Sequence, residues 1–539
     1  MVTMPSLSRH HFHSLASIGF RRLIYHPPES HGAYIRDFDS DGRLLHVLHP
    51  SGHRRVTFYY DQDGRPDVIV HDWTDVVFRY HTSSGAVASE TLTERSRSSN
   101  YTCVLTYDPA GMLVERHIVS FPSSDLGFIN ATFRYGYDRG VRLTSLDATI
   151  ADRVLRSVTY NYTVDTGRHS RVQLFTFEHP RAYRDVVRDA NIEIVHEFDR
   201  HGRRTDVWYR FNNNVVFNLE VKYDAAGRVH QWRRKVGSSD LKPYEYLYDI
   251  DGGVVEVLVS GHSTWKYETD ANNNIIRIAH HGNARTVVVN GHDRVESSGQ
   301  ESYIFDQDGF LVQRDRETYE YDSFGQLIRA FEPSRYDVRY FYDARRRLTA
   351  RRESTGGTAV QLVQFFYADL THPGRLTHIY DGAPRSRITE LFYDNRGTLF
   401  AMKRDGDYYY IGLDPNGSPI VLLNSIGSAV KIIEYDPLGH QISDSASDFL
   451  FHLGFQCGFI DRTTRLLFLN NKVYDPQIGR WTVPRYDLFI DNVERLAAFP
   501  EMTNLYRNVF LWKKNLESMN LMTGTSCIPC IHSFNKVYI

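Results

Sequence analysis

"LEVKYDAAGRVHQW", residues 219–232, reads as a strand, a corner and a returning strand. Leu219, Val221 and Tyr223 alternate with Glu220 and Lys222, the period-two pattern of a strand with one buried face. Asp224 opens a type I turn, because its carboxylate accepts hydrogen bonds from backbone amides two residues on. Gly227, three residues later, takes the left-handed conformation that a Cβ disfavours. Tyr223 ends the first strand and packs its ring. Arg228 and Val229 start the second.

The same phrase recurs along the chain. Tyr60, Asp61 and Gly64 repeat it, as do Tyr107, Asp108 and Gly111, then Tyr321, Asp322 and Gly325. Tyr393, Asp394 and Gly397 follow, then Tyr435, Asp436 and Gly439; Phe198–Asp199–Gly202 and Leu413–Asp414–Gly417 are variants. Successive aspartates often fall roughly 21–25 residues apart, about one hairpin with its return strand. Hairpins in series cannot each bury a face alone, so they must stack and their edges must close or be capped. The expected fold is all-β, with hairpins spiralling into a large barrel-like shell.

"DFDSDGR" (37–43), "YDQDGR" (60–65), "YDIDGG" (248–253) and "FDQDGF" (305–310) also resemble the start of a calcium loop. A calcium loop of the EF-hand kind closes on a Glu at its twelfth position. Counted from Asp37 that position is Leu48; counted from Asp61 it is Asp72, beyond Pro66 and a strand-like "DVIV". Elsewhere the middle acid is replaced by Ala, Ser, Asn or Pro, which a turn tolerates and a metal site does not. The reading is therefore a turn, with no metal and no cofactor.

The 539 residues carry 63 basic and 65 acidic side chains, a net charge of −2, which argues against a dedicated nucleic-acid or polybasic membrane binder. Aromatics make up 13%, which favours pleated strands over helices. No apolar run is long enough to span a bilayer, and the N-terminus is not a convincing signal peptide, so composition alone points to a soluble, cytosolic protein. The four cysteines make no disulfide framework, and Cys527 and Cys530 read as incidental thiols. "RHHFH" (9–13) reads as a loop-edge histidine cluster, and "HEFD" (196–199) lacks the second His of a zinc-protease helix. "NVERLAAFPEM" (492–502) suggests a short helix; "SRSSN" (96–100) and "RESTGGTA" (352–359) suggest exposed loop tips. Asn100, Asn130 and Asn161 begin N-glycosylation sequons, and Asn416 begins a weaker one inside a repeat turn.

The Tyr-Asp step, its Gly and its period resemble YD/RHS repeats, and within that group the chain resembles the teneurins. "QFFYADLTHPGRLTHIYD" (364–381) and "ITELFYDNRGTLFAM" (388–402) resemble late repeats of a teneurin shell. "IGFRRLIYHPPES" (18–30) resembles a segment well inside it. "GFIDRTTRLLFLNNKVYDPQIGRWTVP" (458–484) resembles the RHS-core signature and keeps Tyr474, Asp475, Gly479, Arg480 and Trp481. The resemblance divides the chain into a YD shell over 1–455, incomplete on its N-terminal side, an RHS-core-like closing segment over 456–510, and a divergent tail over 511–539.

The resemblance implies a non-enzymatic extracellular shell from a single-pass cell-surface protein, with EGF-like modules and the membrane anchor upstream. It implies adhesion and signalling in the developing nervous system, through a latrophilin-like receptor or a second teneurin. Bacterial RHS shells suggest an alternative, a shell that encloses a toxin, and some cut themselves with paired aspartates. Asp487 and Asp491 follow Trp481 but lack the Asp-Pro-Gly context of those sites. The tail does not resemble the toxin-like domain with which teneurins continue.

Overall fold

The computed structural model describes residues 9–486, apart from 18–19, 28–31, 95–98, 121–126, 164–167, 182, 251, 357, 383–385 and 470, together with Val2, Thr3, Asn504 and Tyr506. The helix expected at 492–502, Asp487, Asp491, Cys527, Cys530 and the 511–539 tail lie outside these residues. No described helix is long and apolar enough to cross a membrane.

Among the described residues, 42 strands form one antiparallel sheet. Almost every strand pairs with its neighbour in sequence: Asn214–Tyr223 pairs with Val229–Val236, and Arg387–Tyr393 pairs with Leu399–Arg404. "RESTGGTA" is mostly strand, since Leu348–Thr355 and Thr358–Phe366 pair up to the corner itself.

The corners have the predicted geometry. Gly227 has φ +80°, its amide donates to the Asp224 carbonyl at 3.0 Å, and the Asp224 amide donates to the Arg228 carbonyl at 2.9 Å. One carboxylate oxygen of Asp224 accepts from the Arg228 amide at 2.8 Å and the other from its guanidinium at 2.7 Å. The pairing register slips between Lys222 and Tyr223. Such a bulge re-aims the next side chain, and the tyrosine turns toward the preceding repeat. Its hydroxyl donates to the Arg204 carbonyl at 2.8 Å, and Arg203 lies over its ring at 4.4 Å. Tyr248 repeats this with Val229 at 2.6 Å and Arg228 at 4.3 Å, and Tyr80 with Pro66 and Arg65. The repeat tyrosine is thus a link between corners as well as a core ring.

Sequence reading missed several corners. Asp138, Asp270, Asn290 and Asn424 each accept from the amides two and four residues on. In the first three of these the positive-φ position is Val141, Asn273 or Asp293 instead of Gly. Asn and Asp tolerate that conformation; Val141 is held there against its preference.

The sheet coils back on itself. Phe133 packs on Phe366 with ring centroids 6.0 Å apart, Phe175 on Phe400 at 4.9 Å, and the Tyr209 hydroxyl donates to the Ile411 carbonyl at 2.6 Å. A first pass, roughly residues 20–240, therefore lies on a second pass, roughly 305–440. First-pass strands alternate: in Arg55–Tyr60, Val56 and Phe58 are buried while Arg55 and Tyr59 are exposed. Several second-pass strands are buried on both faces, most completely Pro419–Leu423 and His378–Asp381, whereas Ala429–Tyr435 still alternates. Phe366 faces the first pass, while its neighbour Phe365 faces Phe459 of the closing segment at 4.8 Å. Described residues of the 449–486 region pack on the side of the second pass away from the first, so that part of the second pass is sandwiched between two layers.

Candidate functional site

The closing segment starts with a single helical turn, Phe455–Cys457, followed by a four-stranded sheet ending at Arg480–Trp481. It reuses the repeat chemistry. Tyr474 donates to the Leu438 carbonyl at 2.8 Å, as repeat tyrosines do, and its ring meets Trp481 at 5.4 Å. Gly479 has φ +69°, and a Cβ there would come within 3.0 Å of Leu438. Asp475 accepts from Arg314 at 2.9 Å, and both side chains are 1% exposed. Arg480 donates to Asn274 at 2.5 Å and to Asn504 at 3.2 Å, and the Trp481 amide donates to the Tyr506 carbonyl at 3.0 Å. The five RHS-core residues are therefore brought together in the last hairpin of this small sheet, with Tyr474 opposite Trp481 and Asp475 opposite Arg480.

Further buried pairs fasten this segment. Asp461 accepts from Arg351 twice at 3.0 Å and from the Tyr340 hydroxyl at 2.5 Å. Burial opposes ionisation of Asp461, but Arg351 outweighs it and holds the carboxyl below its ordinary value. His452 bonds Asp381, and just before the segment Lys431 reaches Asp444 on the neighbouring strand at 2.5 Å. Glu317 accepts from Arg314 and from the hydroxyls of Tyr319 and Tyr336. Sequence reasoning found the Tyr474–Trp481 motif but none of these partners on the second pass. Arg351 and Arg314 are surrounded by ordinary strand residues, and only the coil places them against the closing segment.

The corner aspartates divide into two electrostatic classes. In Asp61 and Asp224, burial opposes ionisation, but the amide and guanidinium of the Arg four residues on outweigh it and lower the carboxyl. In Asp322 and Asp436 that position is Gln326 or His440. Burial then dominates and pushes both carboxyls up to about 7, only partly offset by the backbone amides they accept from. Asp394, followed by Thr398, is also raised by burial.

On the outer face, Asn100, Asn130 and Asn161 are exposed. They lie on neighbouring hairpins of the first pass. Asn416 is only 6% exposed, so its sequon faces the interior. Where the passes meet at the rim, a cleft runs between Trp73, which is 42% exposed, and Phe324. Arg346 lies over the Phe324 ring at 4.9 Å, and His71 meets that ring edge-on at 4.9 Å.

A family model described as Teneurin YD-shell matches residues 1–510. The chain belongs to the teneurin YD-shell family. It is 35% identical to chicken (Gallus gallus) Teneurin-1 over 510 residues, which cover 94% of this chain and 18% of that protein. It is 34% identical to zebrafish (Danio rerio) Teneurin-3, again over 94% of this chain and 18% of the relative. Drosophila melanogaster Teneurin-m is 30% identical over 90% of the chain and 17% of its own length. The chain thus spans under a fifth of the length of these teneurins. Among solved structures, TcdB2-TccC3 superposes with a TM-score of 0.62 at 14% identity, over 92% of this chain and 33% of that one. A Photorhabdus luminescens Tc holotoxin pore superposes with a TM-score of 0.60 at 12% identity, over 94% of this chain and 32% of that one. At such identity the toxin likeness concerns the fold alone; the teneurin YD shell is a structural shell.

Proposed function

We propose that this chain is an extracellular YD-shell fragment of a teneurin-like cell-surface adhesion protein. It presents a rigid outer face to a partner receptor in cell–cell recognition and signalling during nervous-system development. The latrophilin-like receptors implied by the resemblance, or a second teneurin shell, are the proposed partners. No catalytic role is proposed: the buried acids of the closing segment, Asp461 and Asp475, are engaged by Arg351, the Tyr340 hydroxyl and Arg314, an arrangement suited to clamping.

The observation that carries this reading is the distribution of sequons over a stiff wall. Three exposed ones crowd residues 100–161 of the outer face, and none occurs between residues 200 and 300. Glycans over the first region would leave protein contact to the bare region and to the rim cleft. There Trp73 is the kind of large, amphipathic anchor that dominates interface energies. A toxin-enclosing shell is less well supported, because the likeness to the toxin structures stands at 12–14% identity and that to the teneurins at 30–35%. The test is secretion of the chain behind a signal peptide, glycosidase treatment, and binding to receptor-bearing cells. Three glycans, and binding lost in Trp73→Ala but kept in Asn100→Gln, are expected. An unglycosylated, fully folded secreted product would refute the extracellular reading.

A further inference from the structure

Asn290 stands where most corners carry Asp. The corner is otherwise regular: the Asn290 amide donates to the Arg294 carbonyl at 2.9 Å, and the Asp293 amide donates to the Asn290 carbonyl at 3.0 Å. The side-chain Oδ1 of Asn290 accepts from the amides of His292 at 3.0 Å and Arg294 at 3.1 Å. Those two donors mark that end of the side chain as the oxygen. The amino group, Nδ2, is left in the place where Asp61, Asp199 and Asp224 hold a second carboxylate oxygen. In each of those corners that oxygen accepts from Nε of the arginine four residues on at 2.7 Å.

Arg294 is the arginine of this corner, and it reaches toward the next corner as its counterparts do. Its Nη2 lies 3.1 Å from where a Cβ on Gly309 would stand, as a terminal nitrogen of Arg203 lies 3.2 Å from that point on Gly227. The other terminal nitrogen donates to the Asp306 carbonyl at 3.1 Å. Its Nε, however, is buried with no acceptor. An amino group stands where the other corners present an oxygen, and a buried N–H left without a partner costs stability. The next residue after Asn290 is Gly291, which is exposed and whose amide donates no hydrogen bond among the described residues. The other Asn-Gly step of the sequence differs in both respects. Asn416 is 6% exposed, and the Gly417 amide is tied to the Asp414 carbonyl at 3.0 Å.

We propose that Asn290 is a site of spontaneous deamidation, and that the aspartate formed completes the corner by accepting from Nε of Arg294. The Gly291 nitrogen bonds to Cγ of Asn290, and its proton passes through solvent to Nδ2. The Cγ–Nδ2 bond breaks and ammonia leaves. Water then opens the succinimide: breaking the new bond to Cγ gives aspartate, and breaking the original peptide bond gives isoaspartate. Negative charge develops on Oδ1 as the nitrogen attacks, and the amides of His292 and Arg294 already donate to that atom, as in an oxyanion hole. Glycine at 291 brings no side chain to obstruct ring closure. The aspartate product has the donors and acceptors of the Asp224–Arg228 corner, so the modification turns an unsatisfied corner into a closed one.

The whole folded chain is aged at mildly alkaline pH and digested with trypsin, and the peptide of residues 286–294 is followed by mass. The mass gain of deamidation is expected in that peptide, not at Asn416–Gly417, and should be several-fold slower in Gly291→Ala. Fragmentation that separates aspartate from isoaspartate should find aspartate in the product. In thermal unfolding, Asn290→Asp should raise the melting temperature by about 1–2 °C, the scale of one charge-assisted hydrogen bond in a protein of this size. That gain should vanish when Arg294→Gln is added. A 286–294 peptide that stays unchanged in the folded protein while the urea-unfolded chain deamidates there would overturn the proposal. So would an undiminished rate in Gly291→Ala, a product that is isoaspartate alone, or an Asn290→Asp gain that is absent or survives Arg294→Gln.

Discussion

Replacing Asp436 by Asn should stabilise the shell at pH 8 and do much less at pH 5. Asp436 is buried at a corner facing the closing segment, and its carboxylate accepts from the amides of Leu438 at 2.9 Å and His440 at 2.8 Å. No arginine stands four residues on, so burial raises the carboxyl from 3.8 to about 7. A carboxyl raised on folding binds its proton more tightly in the native state, so the folded protein carries more protons than the unfolded chain between those values. Stability therefore falls as pH rises from about 4 to about 7. The full displacement corresponds to roughly 4 kcal/mol, an upper figure because local water entry relaxes buried charges. Asn keeps the accepting oxygen and never ionises. Its extra amide hydrogens cost the same at every pH and cancel in the comparison. Urea unfolding at pH 5 and pH 8 reads the difference. The wild type should lose more stability over that interval than Asp436→Asn, and Asp322→Asn should flatten the profile further. A wild-type pH slope kept intact in the double variant would show that these carboxyls are not held protonated.

Asp224 should behave oppositely. Its carboxyl is lowered on folding, so its contribution exists above about pH 4 and is lost below it, and Asp224→Asn should cost about 1 kcal/mol at pH 7 by urea unfolding, since the Arg228 pair is partly exposed. Tyr223→Phe removes only the bond to the Arg204 carbonyl and should cost about 1 kcal/mol, seen as faster amide exchange in the neighbouring 199–204 corner. Asp461→Ala leaves buried Arg351 with Glu353 as its remaining ion-pair partner and should cost about 3 kcal/mol, with new proteolytic cutting near residues 445–460, whereas Arg351→Met with Asp461→Leu should cost less than the single change. Gly439→Ala should be worse than Gly42→Ala: both have positive φ, but a Cβ at 439 would lie 2.5 Å from the Phe455 ring, while nothing lies within 4 Å at 42.

Much of the candidate site was readable before any coordinates, because its signals are local. Tyr474, Asp475, Gly479, Arg480 and Trp481 form a compact motif, and Asp475 accepts from the amide two residues on as the repeat aspartates do, although Gly479 stands four residues after it instead of three. The corners at Asp138, Asp270, Asn290 and Asn424 escaped because Val, Asn, Asp or a shifted motif replaces the expected Asp-to-Gly wording. The backbone there accepts the same hydrogen bonds, so the structure repeats where the spelling does not. The sequons at Asn100, Asn130, Asn161 and Asn416 share one motif, yet only the last is buried; nothing within three residues encodes which layer a corner will join.

By itself the amino-acid order decided the strands, the corners and the length of each hairpin, since alternation, an aspartate and a left-handed residue act over a few bonds. The tertiary structure alone decided that the ribbon coils on itself, that several strands of its second pass are covered on both faces, and that Arg351 meets Asp461 and Arg314 meets Asp475. Those meetings depend on the twist accumulated over dozens of strands. A small rotation at each pairing fixes which distant residues face one another, and no local stretch contains that sum.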